Sequence, residues 1–169
     1  MAQRKRPGRD GPGYGRIRKI GKIRKTRRIR IAIAETESDI LRCYPVLSEL
    51  RPHVPPGEFL ERVRSEGARG GYRLAFLEEG GEVRAVAGFR LSEFLAWGKV
   101  LYVDDLVTAP AERSRGLGTR LFDWLVAHAR EEGCDELHLD SGVQRFDAHR
   151  FYLRKRMAIT CHHFAMKLG

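Results

Sequence analysis

Arg113-Ser-Arg-Gly-Leu-Gly118 stands between an apolar run, Leu101-Tyr-Val-Asp-Asp-Leu-Val-Thr108, and a stretch in which Leu117, Leu121, Phe122, Leu125, Val126 and Ala129 recur at helical spacing. This is the pattern of a strand entering a glycine-rich turn that opens a helix. The first N–H groups of a helix lack intrahelical partners, and the helix dipole places its positive end there, so such a turn is a seat for phosphate. Glycine at 116 and 118 lets the main chain approach an anion with no side chain in the way and accepts positive φ at little cost. The implied chemistry is binding of a nucleotide-derived diphosphate. Two other nucleotide patterns are excluded: no Lys-Ser/Thr follows the second glycine, as a P-loop needs, and the Gly-x-Gly-x-x-Gly spacing is absent. In a chain rich in Arg and Gly the short string is weak alone, and the flanking strand and helix give it weight.

Other elements must position that turn. Arg30 to Ala34 alternates as a first strand, and Thr36-x-x-Asp39 forms a capping box for a first helix through Ile40, Leu41, Tyr44 and Leu47, kinked at Pro45. Arg51 to Gly57 reads as a loop and Glu58 to Ser65 as a second helix. Tyr72 to Leu77 and Val83 to Leu91 flank Glu78-Glu-Gly-Gly-Glu82 as a hairpin. Gly133 stops the third helix, and Glu136 to Leu139 is a fifth strand. Asp147 is expected to cap a fourth helix, with Phe146 stapled onto Phe151, and Ile159 to Met166 to form a last strand. Strands that meander and then alternate with helices predict an α/β fold with a mixed, mostly antiparallel twisted sheet flanked by about four helices.

The net charge of +10 is unevenly placed. Residues 1–30 hold 13 Lys/Arg against the single acid Asp10, so the remaining chain is mildly acidic. Residues 1–29 are expected to be a basic disordered tail and residues 30–169 one domain. The tail has three readings: a polyanion or RNA contact, a targeting segment, or the product of an upstream start codon. No apolar run is long enough to span a bilayer and no leader pattern opens the chain, so no membrane partner and a cytoplasmic location are expected. Cys43, Cys134 and Cys161 lie far apart, which argues against a zinc site or a disulfide framework and for small core residues. His162 and His163, adjacent on an expected strand, face opposite ways and cannot grip one metal together. No metal is expected.

The run from Leu101 to Leu168, and more loosely residues 30–169, resembles the GCN5-related N-acetyltransferase (GNAT) superfamily, whose acetyl-CoA motif is Arg/Gln-x-x-Gly-x-Gly/Ala between the fourth strand and the third helix. The resemblance implies that Leu106, Val107 and Thr108 offer main-chain groups to the pantetheine arm, a backbone N–H near Val107 polarising the thioester carbonyl. It implies that the loop Arg113, Ser114, Arg115, Gly116, Leu117, Gly118 and Thr119 wraps the pyrophosphate. Ala148-His-Arg-Phe-Tyr152 looks like the family's fourth helix, where Phe151 and Tyr152 close on the cofactor's sulfur. Two positions depart from the pattern: Arg145 replaces a common Asn, and Arg156-Met157 replaces a common Gly-Phe. The second predicts either a left-handed arginine or a helix that ends differently.

Acetyl transfer to an amine needs a deprotonated amine, a polarised carbonyl and a proton for the departing thiolate. With acetyl-CoA as co-substrate, the resemblance implies Tyr152 as the acid and, from polyamine-type members, Asp104 as the base, with Asp105 on the opposite side of the strand; water could relay the proton instead. The resemblance also implies that His53 falls in a loop bordering the acceptor pocket, while His149 lies on the expected fourth helix. The expected function is direct acetylation of a primary amine on a small molecule or a protein. Two other classes stay open: an acyl-CoA-binding module without turnover, and an RNA- or ribosome-associated protein using the basic tail. A homodimer through the final strands is a further expectation. Acceptor and acyl-chain preference are not encoded in any pattern.

Overall fold

The computed structural model describes residues 28–169; residues 1–27 of the expected tail, with the readings attached to it, lie outside the described residues, and Ile29 already belongs to the first strand. Ten elements succeed one another: strand β1 (Ile29–Ile33), helices α1 (Glu37–Leu47) and α2 (Pro56–Gly70), strands β2 (Arg73–Glu79), β3 (Glu82–Phe94) and β4 (Gly98–Thr108), a 3-10 turn (Pro110–Glu112), α3 (Leu117–Glu131), β5 (Glu136–Leu139) and α4 (Phe146–Arg154). The strands lie in one sheet in the order β1-β2-β3-β4-β5. The first three pairings are antiparallel, whereas β5 runs parallel to β4, the geometry that requires α3 as a crossover.

The sheet is covered on both faces, which explains why its central strands read as nearly continuous apolar runs rather than as alternations. Ala75, Leu77, Phe89, Leu101 and Val103 pack with Leu117, Leu121, Leu125 and Ala129 of α3. Leu74, Phe76, Val86 and Val107 pack on the other face with Ile40, Cys43, Val46 and Leu47 of α1 and Phe59 and Val63 of α2. Thr36 caps α1 as its box predicts: its Oγ1 accepts from the Asp39 N–H at 3.1 Å. Pro45 lies inside that helix. The second helix is longer than its pattern, running from Pro56 to a left-handed Gly71 cap.

One irregularity in β4 sets the course of the strand beyond it. Gly88 of β3 opposes Asp105, yet Phe89 opposes Val103, so Asp104 is an extra residue in β4. A bulge of this kind reverses the alternation of side chains beyond it. Leu101 and Val103 accordingly face α3, whereas Val107 faces α1 and α2. Pairing of β5 with β4 covers only Val100 to Val103 and stops where the bulge begins.

Several expectations are corrected. Ile159 to Met166 forms no strand: a strand needs a ladder partner, none pairs with it among the described residues, and Ile159, Phe164 and Met166 are exposed. Asp147 does not cap α4; Arg145 occupies the N-cap without a side-chain bond, and Asp147 pairs with Arg150 in the first turn. Phe146 is exposed and makes no staple, because Phe151 packs instead edge-on against Phe122, with ring centroids 5.6 Å apart. Of the cysteines, Cys43 is buried and its thiol is pushed up to about 12 by desolvation, while Cys134 is half-buried and Cys161 is exposed, not a core residue. At Arg156 the first of the two alternatives holds, with a left-handed φ of 64°.

Leu121 is wholly buried at the sheet–α3 contact. Replacing it with Ala should cost about 2–5 kcal/mol, read as a lowered urea midpoint at unchanged slope.

Candidate functional site

Two cavities open on successive residues of β4. The first, about 600 Å³, is lined by Asp104 and Asp105 together with Tyr44, Arg51, His53, Tyr72 and Arg90 and by the polar face of α2. The second, about 500 Å³, begins at the next residue: Leu106, Val107 and Thr108 form one wall, Arg113 to Thr119 except Arg115 a second, and Arg145 to Ala148 with Phe151, Tyr152 and Arg154 a third. Since β5 leaves β4 at Val103, the main chain of Leu106 to Thr108 has no strand on that side and borders the second cavity instead.

The wall made by the turn fits a diphosphate. Gly116 is the N-cap of α3 at φ 78°, with no side-chain cap, so no side chain claims the first helical N–H groups. The first intrahelical bond is Arg120 N–H to Gly116 C=O, which leaves the N–H groups of Leu117, Gly118 and Thr119 outside the helix's own ladder. The first turn contains no acid to repel an anion. Arginines 113, 145 and 154 line the cavity against the carboxylates Glu112 and Asp147. The two glycines differ in their reasons. A Cβ on Gly116 would meet open space, so its left-handed backbone is what excludes other residues; a Cβ on Gly118 would stand 3.0 Å from Thr108 Oγ1, so its role is close approach of α3 to β4.

Tyr152 lines this cavity, its ring tilted against Phe122 and edge-on to Phe151. Desolvation holds its phenol above the usual range, with Arg145 acting in the opposite direction, and no hydrogen bond among the described residues engages its hydroxyl.

In the first cavity the expected division of the two aspartates fails. Simple alternation puts Asp104 and Asp105 on opposite faces; the bulge brings both to the same cavity. Their partners then separate them. Asp105 is buried and has both oxygens engaged, Oδ1 by Arg51 Nε at 2.7 Å and Oδ2 by the Tyr72 hydroxyl at 2.7 Å. Asp104 is half-buried and accepts from Arg90 Nε on Oδ2 at 3.0 Å, leaving Oδ1 for another partner. Burial raises its carboxyl above the ordinary range against the opposing pull of Arg90.

Every sequence-expected cofactor contact except one therefore lines the second cavity, and Asp104 and His53 line the first. The exception is Arg115, whose guanidinium turns to Glu79 and Glu112 rather than into the cavity lining. His149, His162 and His163 line a third cavity beside Tyr152 and the C-terminal segment. Among the described residues no three His, Cys, Asp or Glu side chains group as metal ligands. Sequence reasoning missed Arg51, Tyr72 and Arg90. One signal for Tyr72 was present: Gly88 interrupts an apolar strand, and a Cβ there would sit 2.0 Å from the Tyr72 hydroxyl oxygen.

Comparison with known proteins agrees with this geometry. The model of the acetyltransferase (GNAT) family matches residues 33–157. An uncharacterized N-acetyltransferase of Bacillus subtilis is 38% identical over 112 residues, 66% of this chain and 79% of that protein. An aminoalkylphosphonate N-acetyltransferase of Salmonella typhimurium is 33% identical over 85 residues, 50% of this chain and 54% of that protein. Among solved structures, an aminoglycoside N-acetyltransferase in complex with CoA superposes with a TM-score of 0.75 at 13% identity, over 87% of this chain and 99% of that one, a likeness of fold. The chain belongs to the acetyltransferase (GNAT) family and is, by that membership, an N-acetyltransferase.

The two kinds of glycine substitution should separate cleanly. Gly116→Ala, at φ 78°, should cost about 1–2 kcal/mol of stability. Gly57→Ala, in helical backbone with nothing within 4 Å, should be neutral or stabilising by up to about 1 kcal/mol, both read by urea denaturation.

Proposed function

We propose that this protein transfers an acetyl group from acetyl-CoA to a primary amine by direct attack, with the second cavity holding the co-substrate and the first the acceptor. The observation that carries the reading is their junction: Asp105 and Leu106, neighbours in β4, belong to different cavities, so an amine in one and a thioester in the other meet along one strand. Acetyl-CoA supplies an activated acyl group and a thiolate leaving group.

The protein's own groups divide the remaining work. The N–H groups at the start of α3 and the Arg113 to Thr119 loop hold the diphosphate, and the uncovered β4 edge at Leu106 to Thr108 holds the pantetheine arm. A main-chain N–H near Val107 polarises the carbonyl. Asp104, with Oδ1 uncommitted and its basicity increased by burial, accepts the amine proton, directly or through water. Tyr152, kept protonated by the same physical cause and free of competing bonds, donates to the sulfur. Arg145, in place of the family's common Asn, faces this cavity and adds positive charge beside Tyr152.

A small-molecule amine suits the first cavity. The uncommitted oxygen of Asp104 can accept from an ammonium group, and the arginines that line the cavity offer contacts to an anionic substituent, in keeping with a relative named for aminoalkylphosphonates.

Thiol release with acetyl-CoA over a library of amines tests the reading, and absence of both turnover and acetyl-CoA binding would end it. Tyr152→Phe should lower kcat by about 100-fold or more while leaving the Kd for acetyl-CoA unchanged. Because Asp104 must be ionised and its pKa is raised, activity should fall as pH drops through a midpoint above the ordinary aspartate value of about 3.9. Asp104→Asn should remove that component, giving a shallower acid limb of kcat/KM.

A further inference from the structure

Arg115 sits between two left-handed residues, Ser114 at φ 63° and Gly116 at φ 78°. Positive φ at a serine costs free energy and persists only where the surroundings over-determine it. The surroundings here are a chain of charges. Arg115 Nη2 reaches Glu79 at the end of β2, 3.0 Å from Oε1 and 2.8 Å from Oε2, and its Nη1 bonds Glu112 in the 3-10 turn. Glu112 in turn meets Arg84 Nη1 at 3.2 Å, and Arg84 also pairs with Glu82. Glu79 is one of two buried charged or polar residues in the described core, with 7% of its surface exposed. A carboxylate at that depth calls for a paired cation, and the cation that engages both its oxygens is Arg115.

Neither Arg115 nor Glu79 lines the cofactor cavity, whereas their neighbours Ser114, Gly116 and Glu112 do. The pair ties the middle of the loop to the end of β2, as Glu112 ties the adjoining 3-10 turn to Arg84 of β3. Glu112, the one carboxylate on the loop side of the cavity, is held by two guanidiniums at once, which offsets its repulsion of an incoming phosphate.

Resting on the reading of this cavity as a coenzyme A site, we infer that Arg115 is a positioning residue: by locking onto buried Glu79 it holds the Ser114–Gly116 backbone in the conformation that presents the loop's N–H groups to the diphosphate, and it neutralises Glu112 without itself touching the ligand. The role belongs to the loop as a preformed seat, so it concerns the diphosphate and not the thioester end.

Calorimetric titration with CoA and with pantetheine, which lacks the diphosphate, separates these. In Arg115→Met and in Glu79→Gln, the Kd for CoA should rise by about tenfold, equivalent to about 1.4 kcal/mol, within the range that re-imposing a strained backbone conformation costs. The Kd for pantetheine should stay at its wild-type value, and Arg115→Lys should restore part of the CoA affinity. Equal weakening of both ligands would assign the pair to general stability, and unchanged CoA affinity in Arg115→Met would remove the role; either result overturns the inference. Failure of the wild-type protein to bind CoA at all would instead strike the assignment of the cavity itself.

Discussion

A single extra residue in β4 governs the region where the two cavities meet. From Val100 to Val103 the strand is an ordinary central strand, paired on both sides, with Leu101 and Val103 in the α3 core. Asp104 has no counterpart in β3, and a bulge both bends a strand and increases its local twist. Three consequences coincide at that point. The pairing with β5 ends, the main chain beyond it borders a cavity, and the side-chain parity inverts so that two successive aspartates share one pocket. A regular strand would send Asp105 and Val107 into the α3 core, where a carboxylate would be buried without partners.

The two cavities on either side of this bulge differ in how their charges are arranged. In the first, acidic groups lie at the floor and are matched by arginines from outside the strand: Arg51 on Asp105, Arg90 on Asp104. Arg90 also lies 5.8 Å from the centroid of the Tyr72 ring, so Tyr72, Arg90 and the two aspartates are coupled by contact. In the second cavity main-chain amides and arginines dominate, and the carboxylate nearest the turn is neutralised by Arg84 and Arg115. The two cavities therefore meet at one point of one strand, which is the geometry that the proposed transfer requires.

Most elements were legible in the residues, because they rest on local rules. The capping box at Thr36, the two-residue Gly80–Gly81 hairpin turn, the amphipathic period of α3 and the stop at Gly133 each depend on interactions a few residues apart. The turn at 113–118 was legible for the same reason, since glycine spacing and helix-start chemistry are local. What failed was non-local. A strand over Ile159 to Met166 has the right pattern, yet strandness depends on a partner, and pattern carries no information about one. The expected staple of Phe146 onto Phe151 lost to a distant ring, Phe122 on α3.

Amino-acid order was sufficient for the family resemblance, the strand–turn–helix junction at 113–118 and the mixed sheet with its helices, because each is announced by residue type and short-range spacing. Long-range packing was needed for the rest. Asp104 and Asp105 meet in one pocket only through the register between β3 and β4, Arg115 leaves the cavity wall because a buried glutamate 36 residues earlier claims it, and Arg51 and Tyr72 reach Asp105 from connecting segments remote in sequence. Register and cross-chain charge pairing are set by the free energy of the whole sheet and its cores, so no window along the chain contains them.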